Sequence, residues 1–244
     1  MLNTTKGIVL RSVKYGETSL ILSIFTERFG LQSYIIKGVR SEKTKSKRAG
    51  LLQIGSLIEI VAEHKPNRQL QHIREFQPSY IYQSLQEEII KNSIATFSVE
   101  SLIRLLPQEE TMDDLYQFAE NYLIDLDTYQ LHEVANFPLF FCIQCGKYFG
   151  YNILGNYSEE TPYLNASEGI FTTQPPLESS SLNVEDVRML NLLLNVQETG
   201  NVSAILLNSA ARNRLLDWYI LFLQHHTQHL KNLRSLEILR IILH

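Results

Sequence analysis

Cysteine is scarce in this 244-residue chain. Two residues cannot build a disulfide framework, and a reducing cytosolic compartment is the expectation. Long apolar runs are missing as well: none approaches the ~20 residues that a membrane-crossing helix needs. The opening stretch Met1-Leu2-Asn3-Thr4-Thr5-Lys6 has neither the basic start nor the apolar core of a signal peptide. No Walker-type loop, GxGxxG or GxSxG occurs, so the common nucleotide-hydrolysis, dinucleotide and serine-hydrolase signatures are excluded. Internal repeats and low-complexity tracts are absent too. The 44% hydrophobic and 20% charged content is that of a globular rather than a disordered protein. The length is enough for two domains and a sizeable core.

Positive charge is short in one part of the chain and abundant in the other. Residues 77–244 hold 9 Lys/Arg against 20 Asp/Glu, a net of −11, whereas residues 1–76 hold 13 against 6, a net of +7. Six of the twelve residues from 37 to 48 are basic: Lys37, Arg40, Lys43, Lys45, Lys47 and Arg48, opposed only by Glu42. A whole-chain net of −4 conceals this asymmetry, which is a signature of a nucleic-acid or anionic-surface module joined to something different. Taken alone, a charge run more often marks a solvated, mobile loop, so its structural setting decides.

That setting reads as strands. Gly7–Val13, Leu20–Thr26, Leu31–Ile36, Leu57–Val61 and Leu70–Phe76 are short runs rich in β-branched and aromatic residues, bounded by turn clusters such as Tyr15-Gly16-Glu17-Thr18 and Arg28-Phe29-Gly30. Five such strands within residues 1–78 predict an oligonucleotide-binding (OB) barrel, with the basic run in the loop after the third strand. Gripping a single strand takes cations that follow phosphates and flat rings on which bases stack. The loop cations, supplemented by Lys6, Arg11, Lys14 and Arg28, supply the first. Among the rings, Phe25 and Phe29 are assigned to the core, and Tyr15 and Tyr34, beside basic residues, to the surface.

From residue 79 the hydrophobic period becomes helical. Leu85, Ile89, Ile94, Phe97, Leu102 and Leu105 form one stripe, ended by Pro107. Met112, Leu115, Tyr116, Ala119, Tyr122, Leu123 and Leu126 form another, with Asp113 and Asp114 in the first turn, where carboxylates suit the helix dipole. Further helices are predicted over 138–148, 184–196 and 202–209, and then a long one bearing Leu215, Leu216, Tyr219, Phe222, Leu223 and His226. Residues 152–182, rich in polar residues and proline, read as an irregular insertion. The whole is an α+β chain: a barrel over 1–78 and a helical domain over 79–244.

Catalytic groupings are not visible. Cys142-Ile143-Gln144-Cys145 has the spacing of half a zinc site or a thiol pair, but there is no second CxxC and no histidine pair at finger spacing. Flanked by Phe140 and Phe141, these cysteines read as buried helical hydrophobes. Neighbouring carboxylates such as Glu87-Glu88 and Asp113-Asp114 do not share a helical face. The expectation is a binding protein without cofactor, metal or catalytic residues.

Three N-terminal motifs are specific. Gly16-Glu17-Thr18-Ser19-Leu20, then Phe25-Thr26-Glu27-Arg28-Phe29-Gly30, then Lys37-Gly38-Val39-Arg40-Ser41 closely resemble the bacterial RecO family of DNA recombination and repair proteins. Glu100-Ser-Leu-Ile-Arg104-Leu-Leu-Pro107, Phe149-Gly150-Tyr151 and Leu230-Lys231-Asn-Leu-Arg234-Ser235 resemble later segments of the same family. The resemblance implies a non-enzymatic recombination mediator. It would bind single- and double-stranded DNA, anneal strands, recognise the acidic C-terminal tail of single-strand-binding protein, and with RecR help load RecA. Relatives that carry a zinc knuckle place it after the glycine-tyrosine, whereas 155–176 here contains no cysteine, so the metal is not carried over. For the tail, Arg104, Arg212 and Arg214 flank apolar helical faces suited to a groove, with Lys231, Arg234 and Arg240 further along. Two other readings stay open: an OB adaptor for RNA or an acidic protein, and a thiol oxidoreductase.

Overall fold

Alternation between inward and outward residues organises the first 78 residues. The computed structural model describes residues 2–40, 48–65, 68–176, 181–228 and 230–243. Five strands, β1 (Leu2–Tyr15), β2 (Ser19–Thr26), β3 (Gly30–Ile36), β4 (Leu57–Glu63) and β5 (Leu70–Pro78), close into a barrel in the order β1-β2-β3-β5-β4. All pairings are antiparallel except β3 with β5. This is the expected OB barrel. Strand β1 starts earlier than its apolar run suggested, because the polar Leu2–Lys6 stretch pairs with β4. The interior is filled by Val9, Leu20, Leu22, Ile24, Tyr34, Ile36, Ile58, Ile60 and Ile73, with Val39 and Leu52 from the β3–β4 connection packed among them.

Two compact units make up the chain, Met1–Gln83 with Leu106–Asp127, and Ser84–Leu105 with Thr128–His244. The helix α2 (Asp113–Thr128) therefore belongs with the barrel, a division different from the one expected at residues 78/79. The cause is apolar complementarity: Tyr116 of α2 meets Phe25 of β2 edge to face, centroids 5.5 Å apart. The approach to α2 is also pinned. Glu109 donates its N–H to the Leu31 carbonyl, and a Cβ on Gly30 would lie 2.0 Å from the Glu110 oxygen, so only glycine fits there. Asp127 accepts from the Gln83 N–H and the Tyr80 hydroxyl.

The second unit is built from α1 (Ile89–Leu105), α3 (Phe137–Tyr148), α4 (Val184–Leu194), α5 (Ser209–His226) and α6 (Arg234–Ile242). Helix α3 is apolar around its circumference and buried for most of its length, as a central helix must be. Asn183 and Asn208 cap α4 and α5, each accepting a backbone N–H three residues on. The helix expected over 202–209 does not form. Residues 199–201 make a single 3₁₀ turn, and Asn208 is used as the cap of α5 instead. The insertion contains a small hairpin, β6 (Tyr163–Asn165) with β7 (Ile170–Thr172).

Candidate nucleic-acid interface

Strand register gathers one set of side chains on the outside of β1, β2, β3 and β5. Arg11 lies opposite Ser23, Val13 opposite Ile21 and Tyr15 opposite Ser19. Across β3 and β5 the same rows continue through Ser33 to Leu70, and through Ile35 to His72. With side chains alternating at period two, Lys37 and Arg74 follow on this face. The surface is a shallow apolar and hydroxyl floor with Arg11, Lys37 and Arg74 around it. Burial first, and then the neighbouring Arg74 and Lys37 cations, lower the pKa of His72. Arg74 forms an ion pair with Glu63, donating from Nε at 2.9 Å. Tyr15 is 56% exposed at the rim, as a stacking ring requires.

The described start of the basic run is anchored. Arg40 donates its backbone N–H to the Thr18 carbonyl at 3.0 Å and its guanidinium to the Gly16 carbonyl at 3.4 Å, holding the loop's first residues on the β1–β2 turn. At the far side of the loop, the Arg48 guanidinium sits 5.1 Å from the Phe76 ring centre. The expected cations Lys43, Lys45 and Lys47 lie outside the described residues. Lys14 is exposed at the end of the β1–β2 hairpin.

Other expected residues are placed elsewhere. Tyr34 is not a surface ring: it points into the barrel with 1% exposure, and burial pushes its hydroxyl up to about 12. Its odd-even position in β3 dictates this, because Ser33 and Ile35 face outward. Lys6 pairs with Glu120 of α2 at 3.5 Å, and Arg28 donates to the Thr4 carbonyl, so neither joins the outer face. Phe25 is core, as expected. Phe29 is half-buried and stacks on His64, with centroids 4.1 Å apart and planes 14° from parallel. His72 and Arg74 carry no motif in the sequence. Their signal is the alternation Leu70-Gln71-His72-Ile73-Arg74, which places them on one side of a strand.

In the helical unit Arg104, Arg212 and Arg214 are each engaged by internal partners. Arg104 donates to Glu100 and to the carbonyls of Lys231 and Asn232. Arg214 makes a two-pronged pair with Asp186 at 2.7 and 2.8 Å. Arg212 donates to Asn136, Leu207 and Leu243, and burial lowers its pKa. They are struts between elements rather than a row of open cations. Helix α6, unforeseen from the sequence, presents Arg234, Ile238 and Ile241 at helical spacing, with the two isoleucines 55% and 73% exposed.

Cys142 and Cys145 are both buried in α3; burial pushes the Cys142 thiol up to about 12 and Cys145 well above its ordinary value. Reactive thiols show the opposite shift and are accessible, which removes the support for an oxidoreductase. Among the described residues, no group of three His, Cys, Asp or Glu is arranged to hold a metal ion, and no helix is long and apolar enough to cross a membrane.

Comparison with known proteins covers almost the whole chain. A family model described as "Recombination protein O N terminal" matches residues 1–82, and one described as "Recombination protein O C terminal" matches residues 86–237. The chain is 30% identical over 237 residues to the DNA repair protein RecO of Flavobacterium psychrophilum, with 97% of each chain covered. It is 31% identical over 239 residues to that of Flavobacterium johnsoniae, covering 98% of each, and 29% identical to that of Christiangramia forsetii, covering 99%.

Proposed function

This chain belongs to the RecO family of DNA repair and recombination proteins, and from that premise we infer that it holds DNA strands on the outer face of its barrel and promotes their annealing. The observation that carries the reading is the convergence of Arg11, Lys37 and Arg74 with exposed Tyr15 on one strand-lined surface, in a chain whose net charge is −4. Phosphates run along the cations and bases lie on the ring and the apolar floor, the arrangement used by sequence-tolerant single-strand binders. Lys43, Lys45, Lys47 and Arg48 extend the cationic path in the proposal, and Lys14 and Arg40 fix its start. Pairing with RecR, delivery of RecA and capture of the acidic tail of single-strand-binding protein follow from family membership as parts of the same proposal. No catalytic step is assigned to any residue.

For tail capture, the exposed Arg234–Ile238–Ile241 stripe of α6 has the required chemistry, an apolar surface beside a cation. Arg104 and Arg212 brace the segments at its two ends, and Arg214 ties α5 to α4. Annealing of complementary oligonucleotides by the full chain tests the main reading. The double reversal Arg11→Glu/Lys37→Glu should abolish annealing while the circular dichroism spectrum is unchanged. Undiminished annealing, or a preference for RNA over DNA of the same sequence, would point to the adaptor alternative.

A further inference from the structure

A second concave site lies at the other end of β2 from the basic loop. Strand β2 runs from Ser19, beside the turn that holds Arg40, to Thr26, beside Arg28 and Phe29. At ~3.3 Å per residue its eight residues put about 25 Å between the two ends. Here a cavity of about 270 Å³ is bounded by the β2–β3 turn, the β4–β5 connection and the segment leading to α2. All three belong to the barrel unit.

The cavity is built and not incidental. Gln71, only 1% exposed, accepts the Lys65 N–H at 3.0 Å and donates to the Lys65 and Arg68 carbonyls at 2.9 Å, anchoring the backbone at both cations. Gln32, 5% exposed, donates to the Phe29 carbonyl and fixes the opposite turn. The third wall holds a strained residue: Glu109 has φ of 61°, a conformation that non-glycine side chains rarely adopt. Its N–H bond to Leu31 holds it there. Strain of this kind persists where the surroundings over-determine it, and it clusters at ligand sites.

The chemistry of the lining is specific. Arg28, Lys65 and Arg68 supply three positive charges against one carboxylate, that of Glu109. The face-to-face Phe29–His64 pair adds flat aromatic surface on its outer faces. Cations alone would suit any anion. Cations beside a stacked ring pair, with a carboxylate opposite to accept from an N–H or O–H, suit a phosphate joined to a planar, donor-bearing ring. The volume lies just below the ~300 Å³ where ligand pockets begin, the scale of one nucleotide unit.

We propose that this cavity is a binding site for a single 5′-phosphorylated nucleotide, its phosphate held by Arg28, Lys65 and Arg68 and its base against the Phe29–His64 pair. The ligand chemistry is shared by a free nucleotide and by the phosphorylated end of a strand. The proposal does not depend on the outer face being the strand-binding surface.

The test is calorimetric titration of the full chain with dAMP, deoxyadenosine and inorganic phosphate. dAMP should bind at least tenfold more tightly than either fragment. Lys65→Gln/Arg68→Gln should weaken dAMP at least tenfold, and Phe29→Leu, which keeps the apolar bulk, by roughly 5- to 100-fold, the range spanned by base–aromatic stacking. Arg11→Glu/Lys37→Glu should leave dAMP affinity unchanged even though strand annealing is lost, which separates this site from the outer face. A 5′-phosphorylated oligonucleotide that displaces dAMP, where its 5′-hydroxyl counterpart does not, identifies a strand end as the source. Displacement by neither identifies the free nucleotide. Absent dAMP binding, equal binding of inorganic phosphate, or full affinity in both cavity variants would overturn the proposal.

Discussion

Arg74 and His72 show how strand position alone can place a residue in the proposed interface. Each is an unremarkable polar residue in sequence, yet period-two alternation brings both to the face that carries Lys37. Because burial and the adjacent cations lower the His72 pKa, the ring is neutral at pH 7 in the unbound protein. A strand phosphate placed over it would favour the charged form, so binding should take up a proton. DNA affinity is therefore expected to rise as pH falls through the pKa of the bound state and to level off below the lowered pKa of the free protein, by up to tenfold per pH unit between them. His72→Gln should flatten that dependence, as read by fluorescence anisotropy between pH 7.5 and 5.5. Glu100 follows the opposite sign. Burial would raise its carboxyl, but hydrogen bonds from the Ser235 hydroxyl and backbone, the Arg234 backbone and Arg104 together hold it below the usual range. The stability it gives is present above the unfolded carboxyl value of about 4.3 and is lost as pH falls through the lower folded value. Glu100→Ala should cost about 1.5–3 kcal/mol, the scale for hydrogen bonds to a charged group. Urea unfolding at pH 7 and pH 3 checks both magnitude and sign: the deficit should shrink at pH 3.

Among the elements, the barrel strands are legible in the sequence because β-branched runs, turn clusters and alternation all agree. Tyr34 is the exception: its charged neighbours suggest the surface, but its alternation with Ser33 and Ile35 sends it inward. Helices α1 to α5 are legible from apolar spacing, whereas the partnership of α2 with the barrel is not. That contact depends on Phe25 meeting Tyr116 across 91 positions of chain, and no local pattern encodes it. Helix α6 is hard to foresee because it is short and its apolar residues divide between a buried side, with Leu239, and an exposed one, with Ile238 and Ile241. That exposed stripe makes a prediction. Arg234→Ala should weaken binding of a single-strand-binding-protein tail peptide by about 1–3 kcal/mol, and wild-type affinity would remove α6 from the tail site. Helix α3 makes another: with both cysteines buried among apolar residues, chelator treatment should leave the melting temperature unchanged. About one zinc per chain by elemental analysis, lost in Cys142→Ser, would contradict that expectation.

Across the whole molecule, the charge division seen in the sequence is redistributed by the fold. Segment 106–127 brings seven carboxylates and no lysine or arginine to the barrel, so the unit containing all 13 N-terminal cations is formally neutral. Its positive charge is therefore grouped locally: Arg11, Lys37 and Arg74 on the outer face and Arg28, Lys65 and Arg68 at the cavity, while Lys6 pairs with Glu120 of α2. Strand binding should then depend on a few identifiable cations and not on a diffuse field. Counterion release makes this measurable, each single-strand phosphate neutralised contributing about −0.7 to the slope of log K against log salt. The decisive measurement is that slope for an oligothymidine, for the wild type and for the triple variant Arg11→Ala/Lys37→Ala/Arg40→Ala. The account predicts a slope flatter by about two units in the variant. An unchanged slope would contradict the assignment of the outer barrel face to DNA.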